Sequence, residues 1–275
     1  MPELPEVETT RKGVSPYCLK QRVKQLIVRQ PSLRWPIPDD LSPQICNKQI
    51  NKVERRGKYL LFHFDHGTLI MHLGMSGSLR VLLANTSGEP VNKHDHVDII
   101  MESGDILRYH DPRRFGAILW TDQPVEEHKL IAHLGPEPLS DLFNADYLAQ
   151  RCAKRKTAIK SLIMDSKVVV GVGNIYANEA LFLSGIHPQQ AAGSLKPGQL
   201  AQLTDNIKKV LQRSIEQGGT TLKDFVGGDG KPGYFAQQLN VYGRAGSDCL
   251  HCKTELKEIR QNNRSSVFCP QCQPL

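Results

Sequence analysis

Short runs of apolar or alternating apolar and polar residues occupy the stretch from Val23 to Trp120. Runs of this kind, bounded by turn signals such as DHG and ESGD, are typical of β-strands. In chain order they are VKQLIVRQ, KYLLFHF, TLIMHLG, SLRVLL, HVDIIME, DILRYH and FGAILW. Because no long helical pattern separates them, we expect the strands to pair antiparallel and to form a β-sandwich or a barrel.

The segment LPEVETTRKGV near the N-terminus predicts a short helix. Pro5 suits the first helical position, where its missing N–H has no cost. Glu6 and Glu8 fall in the first turn, where the helix dipole favours anions. Gly13 is expected to end the helix.

Two residues ahead of this helix are not explained by the helical pattern. Pro2 would become the chain terminus on loss of Met1, and its nitrogen would then be a secondary amine. Glu3 lies beside it, outside the predicted helix. The pair is therefore a candidate for chemistry.

A break in the strand pattern falls at HLGPEPLS (133–140), and helical patterns follow it. They are DYLAQRCAKRKTAIKSLIMD, which reads as one helix or two, NIYANEALFLSG, and the long amphipathic PGQLAQLTDNIKKVLQRSIEQGG. The glycine-rich VGGDGKPG (226–233) predicts a mobile loop. The predicted organisation is a β-rich domain over 1–134, a linker over 135–150, a helical domain over 151–240 and a C-terminal module over 241–275.

The composition is that of an ordinary globular protein, with 39% hydrophobic and 23% charged residues, and the length of 275 residues favours two domains. The net charge of +7 and the pI of about 9.0 indicate an anionic partner such as nucleic acid. No apolar run is long enough for a transmembrane helix, and the N-terminus lacks the apolar region of a secretory signal. We therefore expect a cytoplasmic protein that does not interact with membranes.

The C-terminus carries the strongest single motif, C-x2-C-x16-C-x2-C. This spacing is typical of a zinc site with four thiolate ligands, where the metal supplies much of the folding energy. The ligands would be Cys249, Cys252, Cys269 and Cys272. Cations between the two cysteine pairs suit a contact with nucleic acid, and a zinc staple without any contact role is the alternative. The other cysteines read as buried free thiols.

The segment VVVGVGNIYANEALF predicts a glycine turn that leads into a helix, with Asn174 as the N-cap. A helix N-terminus approached by glycines can bind a phosphate of DNA. Simple capping of the helix explains the spacing equally well. The G-x-G-x-x-G pattern and the βαβ unit of a dinucleotide site are both absent.

Two turns carry an apolar residue where solvent exposure is expected. HLGMSGSLR places Met75 between two glycines, and DPRRFG places Arg113 and Phe115 in a turn. DNA-bending proteins insert such apolar wedges between base pairs, with arginine nearby. The alternative, favoured for an isolated pair, is that both apolar side chains fold back into the core.

Two further motifs are cationic. RRGKYL sets Lys58 just after a glycine at the start of a strand, and a solvated basic face is the simpler explanation. KHDH offers His94 and His96, which would share one face of a strand. Nothing nearby completes a metal site, so a contact with DNA is the better hypothesis for His94.

All these motifs occur together and in one order, as PELPEVE, RRGKYL, HLGMSG, KHDH, DPRRFG, GVGNIYANE and the four-cysteine module. From Pro2 to Cys272 the chain closely resembles the bacterial formamidopyrimidine-DNA glycosylases, base-excision enzymes for 8-oxoguanine and ring-opened purines. The sister family, endonuclease VIII, usually starts with PEGPE, so PELPE favours the first family. The resemblance implies an α+β fold with an N-terminal antiparallel β-sandwich flanked by helices, a C-terminal helix-two-turn-helix domain and a zinc ribbon.

The resemblance also implies a catalytic set. Pro2, exposed by loss of Met1, is similar to the family nucleophile, whose amine attacks C1′ of the damaged nucleotide. Glu3 matches the acid/base carboxylate that helps to protonate the sugar ring. Lys58 matches the lysine tied to the lyase steps, and Arg264 the zinc-ribbon arginine that grips a backbone phosphate and is linked to δ-elimination.

Further positions match residues of the family that contact DNA. Met75, Arg113 and Phe115 correspond to the three residues that fill the gap left by the flipped base, and Asn174 to a phosphate-binding asparagine. The segment FVGGDGKPGYF corresponds to the loop that closes over the extruded base. The remaining matches are His94, Lys160 and Arg155, the last an arginine where a family lysine is expected.

The expected function is that of a bifunctional DNA glycosylase and AP lyase with one structural Zn²⁺. It would act as a monomer on double-stranded DNA that contains oxidised purines or abasic sites. One alternative is a module that binds lesions without cutting, which the zinc ribbon and net charge fit equally well. Another is the specificity of the sister family, for oxidised pyrimidines.

Overall fold

The computed structural model describes residues 2–86, 89–219 and 239–275 of the chain. These residues divide into two compact units. The first contains residues 2–132 with 217–219, and the second contains His133–Glu216 with 239–275. The predicted loop at 226–233 and the FVGGDGKPGYF segment around it lie outside the described residues.

The first unit begins with helix α1, Leu4–Cys18. The expected end at Gly13 is wrong, because the helix continues for more than a turn beyond it. Val14 and Cys18 are fully buried on the same face as Val7. Burial of such side chains stabilises the helix by more than the roughly 1 kcal/mol that a glycine in its interior costs.

Eight strands in the described part of this unit form two antiparallel sheets. They are β1 (Val23–Val28), β2 (Lys52–Arg56), β3 (Tyr59–Phe64), β4 (Gly67–His72), β5 (Ser78–Leu82), β6 (Asp95–Met101), β7 (Ile106–His110) and β8 (Ala117–Thr121). One sheet has the order β1-β6-β7-β5 and the other has the order β2-β3-β4-β8. All seven predicted strands are confirmed, and β2 was missed because its sequence, KVERR, buries a single side chain, Val53.

One hydrophobic core joins the two sheets and the helix. Phe62 and Met71 come from one sheet, Ile99 and Leu107 from the other, and Val14 from α1. Two separate sheets around a shared core make a sandwich, so the barrel alternative is excluded. The short helix α2, Leu41–Ile45, follows β1.

The second unit is helical, with a hairpin near its C-terminal end. Its elements are α3 (Ala145–Cys152), α4 (Ile159–Ile163), α5 (Asn174–Leu183), α6 (Pro197–Glu216), β9 (Lys257–Gln261) and β10 (Arg264–Phe268). The segment DYLAQRCAKRKTAIKSLIMD, for which one helix or two were predicted, forms the two helices α3 and α4. Helix α3 begins inside residues 135–150, which were expected to be a linker. Every residue of α5 from Ile175 to Phe182 is buried, so this helix is the centre of the unit.

The α+β class with an N-terminal β domain and a C-terminal helical region is therefore confirmed. Throughout the described ranges, no helix combines the length and the apolar character that crossing a bilayer requires.

Candidate active site

Pro2 and Glu3 are held in place at the start of α1. Pro2 is buried, and Glu3 is 2% exposed and immediately precedes the helix. The Glu3 carboxylate accepts the backbone N–H of Glu6, while Glu6 Oε2 accepts the backbone N–H of Glu3 at 2.8 Å. This reciprocal cap satisfies helix N–H groups and holds the backbone beside Pro2 in one conformation. Glu6 therefore helps to arrange the terminus as well as the helix.

Glu8 connects α1 to the turn that carries Lys58. Its carboxylate accepts from Arg11 at 2.7 Å and from Arg55 Nε at 3.1 Å. Arg55 also donates to the carbonyl oxygen of Gly57, at 2.9 Å, just before Lys58. Burial alone would raise the pKa of Glu8, but the hydrogen bonds and positive charges of the two arginines outweigh it and lower the pKa. The carboxylate thus stays ionised and holds helix and turn together.

Met75, Arg113 and Phe115 surround one pocket of the first unit, of about 670 Å³. Met75 is 42% exposed and Phe115 is 49% exposed. The alternative in which both fold back into the core is therefore excluded. The pocket is lined by Ser32, Leu33, Arg34, His72, Gly74, Met75, Arg113, Arg114 and Phe115.

A buried hydrogen-bond network holds the two exposed turns in place. Asp111 Oδ2 accepts the N–H of Gly116 at 2.8 Å and the hydroxyl of Tyr109 at 3.3 Å. A side chain at Gly74 would lie only 2.5 Å from the nitrogen of Gly116, so the Met75 turn can approach the Phe115 turn only with glycine there. Sequence reasoning missed Tyr109 and Asp111, although an aspartate just before proline is a turn signal.

His72 lies at the end of β4, behind the Met75 turn. Its Nδ1 accepts the N–H of Gly74 at 2.9 Å, and its ring packs against that of Tyr59 at a centroid distance of 4.9 Å and a tilt of 53°. Burial, together with the positive charges of Lys58 and Arg34, lowers the pKa of His72 to about 4. His72 is therefore neutral at pH 7 and supplies an acceptor to the turn.

This depressed pKa predicts a pH dependence of stability. An unfolded histidine takes up its proton near pH 6.5, whereas folded His72 does so near pH 4. Between these values the unfolded state binds more protons, so stability falls as the pH drops from about 6.5 to 4. We expect His72→Asn, which keeps an acceptor for Gly74, to lose less stability over this window, by up to about 3 kcal/mol. Urea unfolding of both proteins from pH 4 to 7.5 measures the free energy of unfolding at each pH. The same pH dependence in both proteins would contradict the prediction.

His94 is half-buried at the edge of the β6–β7 sheet. Its ring lies 6.1 Å from that of His96 and 5.9 Å from that of His110. His96 Nε2 is engaged with the carbonyl oxygen of Asp111 at 2.8 Å. Among the described residues, the group that could hold a metal ion is the set of four C-terminal cysteines, and His94 is not part of it.

In the second unit, Asn174 is the first residue of α5, and the N-cap is Gly173. The prediction of Asn174 as N-cap is wrong by one residue. Its Oδ1 is buried and has no hydrogen-bond partner in the described part of the chain. Simple capping therefore does not account for the position of this side chain.

Arg264 is exposed at the start of β10, and it borders a second pocket of about 250 Å³ with Lys160 and Asp165. Lys160 is only 2% exposed. Its Nζ donates to the carbonyl oxygen of Ser265 and to Ser266 Oγ. Arg155 is exposed in the loop between α3 and α4.

Two buried residues of α5 were missed by sequence reasoning. Glu179 accepts four N–H groups at 2.8–2.9 Å, from the backbone of Asn240, Val241 and Tyr242 and from the Asn240 side chain. Asn178 Oδ1 accepts the N–H of Val267 at 2.9 Å. An acid and an amide inside an otherwise apolar helix were the available signal, since buried polar groups need partners.

The four C-terminal cysteines meet at one point. Their sulfur atoms all lie within 4.8 Å of one another, and three of the pairs are 3.4, 3.5 and 4.0 Å apart. A tetrahedral Zn²⁺ with Zn–S bonds of about 2.3 Å requires sulfurs about 3.8 Å apart. The donor set fits one structural zinc, held by Cys249, Cys252, Cys269 and Cys272.

Family models match three successive segments of the chain. Residues 1–118 match the formamidopyrimidine-DNA glycosylase N-terminal domain, and residues 134–226 match the formamidopyrimidine-DNA glycosylase H2TH domain. Residues 246–275 match the zinc finger found in FPG and IleRS. The three segments appear in the order that the sequence motifs predicted.

Known proteins are similar over the whole length. A formamidopyrimidine-DNA glycosylase of Saccharophagus degradans is 59% identical over 273 residues, 99% of this chain and 100% of that one. The Lactococcus lactis Fpg in complex with DNA containing an abasic site is 31% identical, with a TM-score of 0.91 over 99% of this chain and 100% of that one. A mutant of the same enzyme with DNA containing Fapy-dG has a TM-score of 0.92 and 31% identity, over 100% of both chains. The chain therefore belongs to the formamidopyrimidine-DNA glycosylase family.

Proposed function

We propose that this protein is a bifunctional DNA repair glycosylase, which excises oxidised purines through Pro2 and then cleaves the strand at the abasic site. The observation that carries the proposal is the position of Glu3, a carboxyl 2% exposed beside Pro2, with its backbone N–H held by Glu6. A fixed carboxyl next to a secondary amine is the pairing that covalent catalysis at C1′ needs. The similar Lactococcus lactis enzyme, crystallised with abasic-site and Fapy-dG DNA, supports the substrate class.

In the proposed chemistry, the nitrogen of Pro2 forms a bond to C1′ as the bond from C1′ to the damaged base breaks, and the N–H proton of the amine is passed to the departing base. Glu3 helps to protonate the ring oxygen as the sugar opens, which leaves an iminium between Pro2 and C1′. An α-amino group has a pKa of about 7.7–8.0, so a sizeable fraction is neutral and nucleophilic near neutral pH. The iminium acidifies the C2′ hydrogens, and the strand breaks by β- and then δ-elimination. Lys58 serves the lyase steps, and Arg264 holds a phosphate for δ-elimination.

The target nucleotide must rotate out of the DNA double helix, which costs roughly a few kcal/mol. Met75, Arg113 and Phe115 offset this cost by filling the vacated space. The exposure of Met75 and Phe115 around one pocket supports this role. Asn174 binds a phosphate at the start of α5, and Arg155 and His94 add further contacts to the DNA backbone.

The four cysteines hold one Zn²⁺, which stabilises the hairpin that carries Arg264. Because the substrate is chromosomal DNA, we place the enzyme in the cytoplasm, associated with the nucleoid when bound. The chemistry uses residues of one chain, so the enzyme acts as a monomer.

A borohydride trap tests this function. The protein with its native terminus is incubated with an 8-oxoguanine duplex and borohydride, and the cross-link is mapped by mass spectrometry. We expect an adduct on Pro2 that vanishes when extra residues precede Pro2. An adduct on Lys58 would still indicate an enzyme, but with Lys58 as the nucleophile in place of Pro2. Tight binding of the lesion with no adduct would instead support a binding module.

The same preparation decides substrate specificity. We expect faster excision of 8-oxoguanine than of thymine glycol from otherwise identical duplexes. The reverse order would assign the specificity of the sister family.

A further inference from the structure

We infer that Lys160 is a positioning residue that aims Arg264, and that its ammonium group does not bind a DNA phosphate. The inference rests on the proposed function, because Arg264 acts in strand cleavage there. It changes the expectation drawn from resemblance, in which Lys160 itself contacts DNA.

The ammonium group of Lys160 is bonded to residues of the protein, although Lys160 also borders the second pocket. The residue is 2% exposed, and its Nζ donates to the carbonyl oxygen of Ser265 at 2.7 Å and to Ser266 Oγ at 2.6 Å. A lysine ammonium has three N–H donors. At least two of them are committed to neighbouring residues of strand β10, so moving the group to a phosphate would break short, largely buried bonds.

These bonds fix the strand next to Arg264. Arg264 is the first residue of β10, and the turn before it has positive φ at Asn262 and Asn263. The Arg264 side chain is exposed, with no hydrogen bond or ion pair to any other described residue. The position from which it reaches out is therefore set by its backbone, which Lys160 anchors at the next residue, Ser265.

A second side chain anchors the same strand from α5. Asn178 Oδ1 accepts the N–H of Val267 at 2.9 Å, and its Nδ2 donates to the carbonyl oxygen of Asn174 at 2.6 Å. Strand β10 is thus tied to the helix whose first residue is Asn174. Lys160 and Asn178 together fix the two proposed phosphate ligands of this unit relative to each other, which is the preorganisation that a positioned ligand needs.

The variant Ser266→Ala separates positioning from direct contact. It removes one acceptor of Lys160 and leaves the charge of Lys160 in place. If Lys160 positions Arg264, cleavage of a duplex with a preformed abasic site should slow by about tenfold, the effect of losing one hydrogen bond to a charged group. The share of δ-elimination product should fall with it. If Lys160 binds a phosphate directly, its charge is retained, and both quantities should match those of the wild type.

A double-mutant cycle gives the second test. Lys160→Met should slow strand cleavage in the wild-type background but have no further effect in an Arg264→Ala background, because residues that act through one another are not additive. The matched control is Lys156→Met, the same substitution at an exposed lysine nearby. Zinc content and thermal unfolding of each variant establish that the ribbon is folded.

Three results would overturn the inference. The first is unchanged cleavage by folded Ser266→Ala, and the second is additive effects of Lys160→Met and Arg264→Ala on cleavage. The third concerns DNA binding: in the Arg264→Ala background, Lys160→Met would reduce the magnitude of the slope of log K against log salt by about 0.9. A wild-type protein that cleaves no abasic DNA would instead contradict the proposed function. The two failures are therefore distinguishable.

Discussion

Glu3→Gln should lower base excision by about 10²- to 10⁴-fold, the usual contribution of a positioned acid or base. Glutamine has nearly the same size and keeps an oxygen that can accept the N–H of Glu6, so the cap of α1 remains. What the substitution removes is the ability of the side chain to give up and take back a proton. Single-turnover excision of 8-oxoguanine from a duplex measures the loss, because it separates the chemical step from binding and product release.

DNA affinity and fold should survive this substitution. Glu3 is buried beside the terminus, whereas DNA affinity in the proposed complex comes mainly from cations that meet phosphates. The matched control is Glu126→Gln, the same change at an exposed glutamate of the first unit, which should retain full excision. Retained excision by folded Glu3→Gln would remove Glu3 from the acid/base role. A loss of binding equal to the loss of excision would make its role structural.

Cys249→Ser, or removal of zinc by a chelator, should abolish specific DNA binding. The hydrophobic cluster at the ribbon is small, with Val241, Leu256 and Val267 packed against Phe182 of α5. Such a cluster does not replace the metal, since zinc binding by four thiolates supplies about 10–16 kcal/mol in isolated zinc-finger peptides. Loss of the metal therefore releases β10, and Arg264 with it. Binding to lesion DNA and zinc content, measured together on one preparation, test this.

The control for this prediction is Cys46→Ser. Cys46 is half-buried in the first unit and lies outside the four-cysteine cluster, so binding and zinc content should match the wild type. A Cys249→Ser protein that has lost zinc and still binds DNA with full affinity would show that the ribbon is a staple with no contact role. That is the alternative left open by the cysteine spacing alone.

Most of the strands and the local motifs could be predicted from the sequence alone. Short apolar or alternating runs between turn signals predicted seven of the strands, because strand side chains are buried in the sandwich, in β4 and β6 along almost the whole strand. The cysteine spacing predicted the metal site because two short knuckles are enough to bring four thiolates together. Met75 and Phe115 were noticed because apolar side chains are unusual in turns that are expected to be exposed to solvent. Both side chains are in fact exposed.

Other features depend on contacts between residues far apart in the chain, which a single sequence does not reveal. Helix α1 passes Gly13 because the core has room for Val14 and Cys18, and β2 forms because β3 offers it a partner. Likewise, the resemblance indicated Lys160 as a residue that contacts DNA. Only the tertiary structure brings Ser265 and Ser266 to it from more than a hundred residues away, where their oxygens satisfy a buried ammonium group.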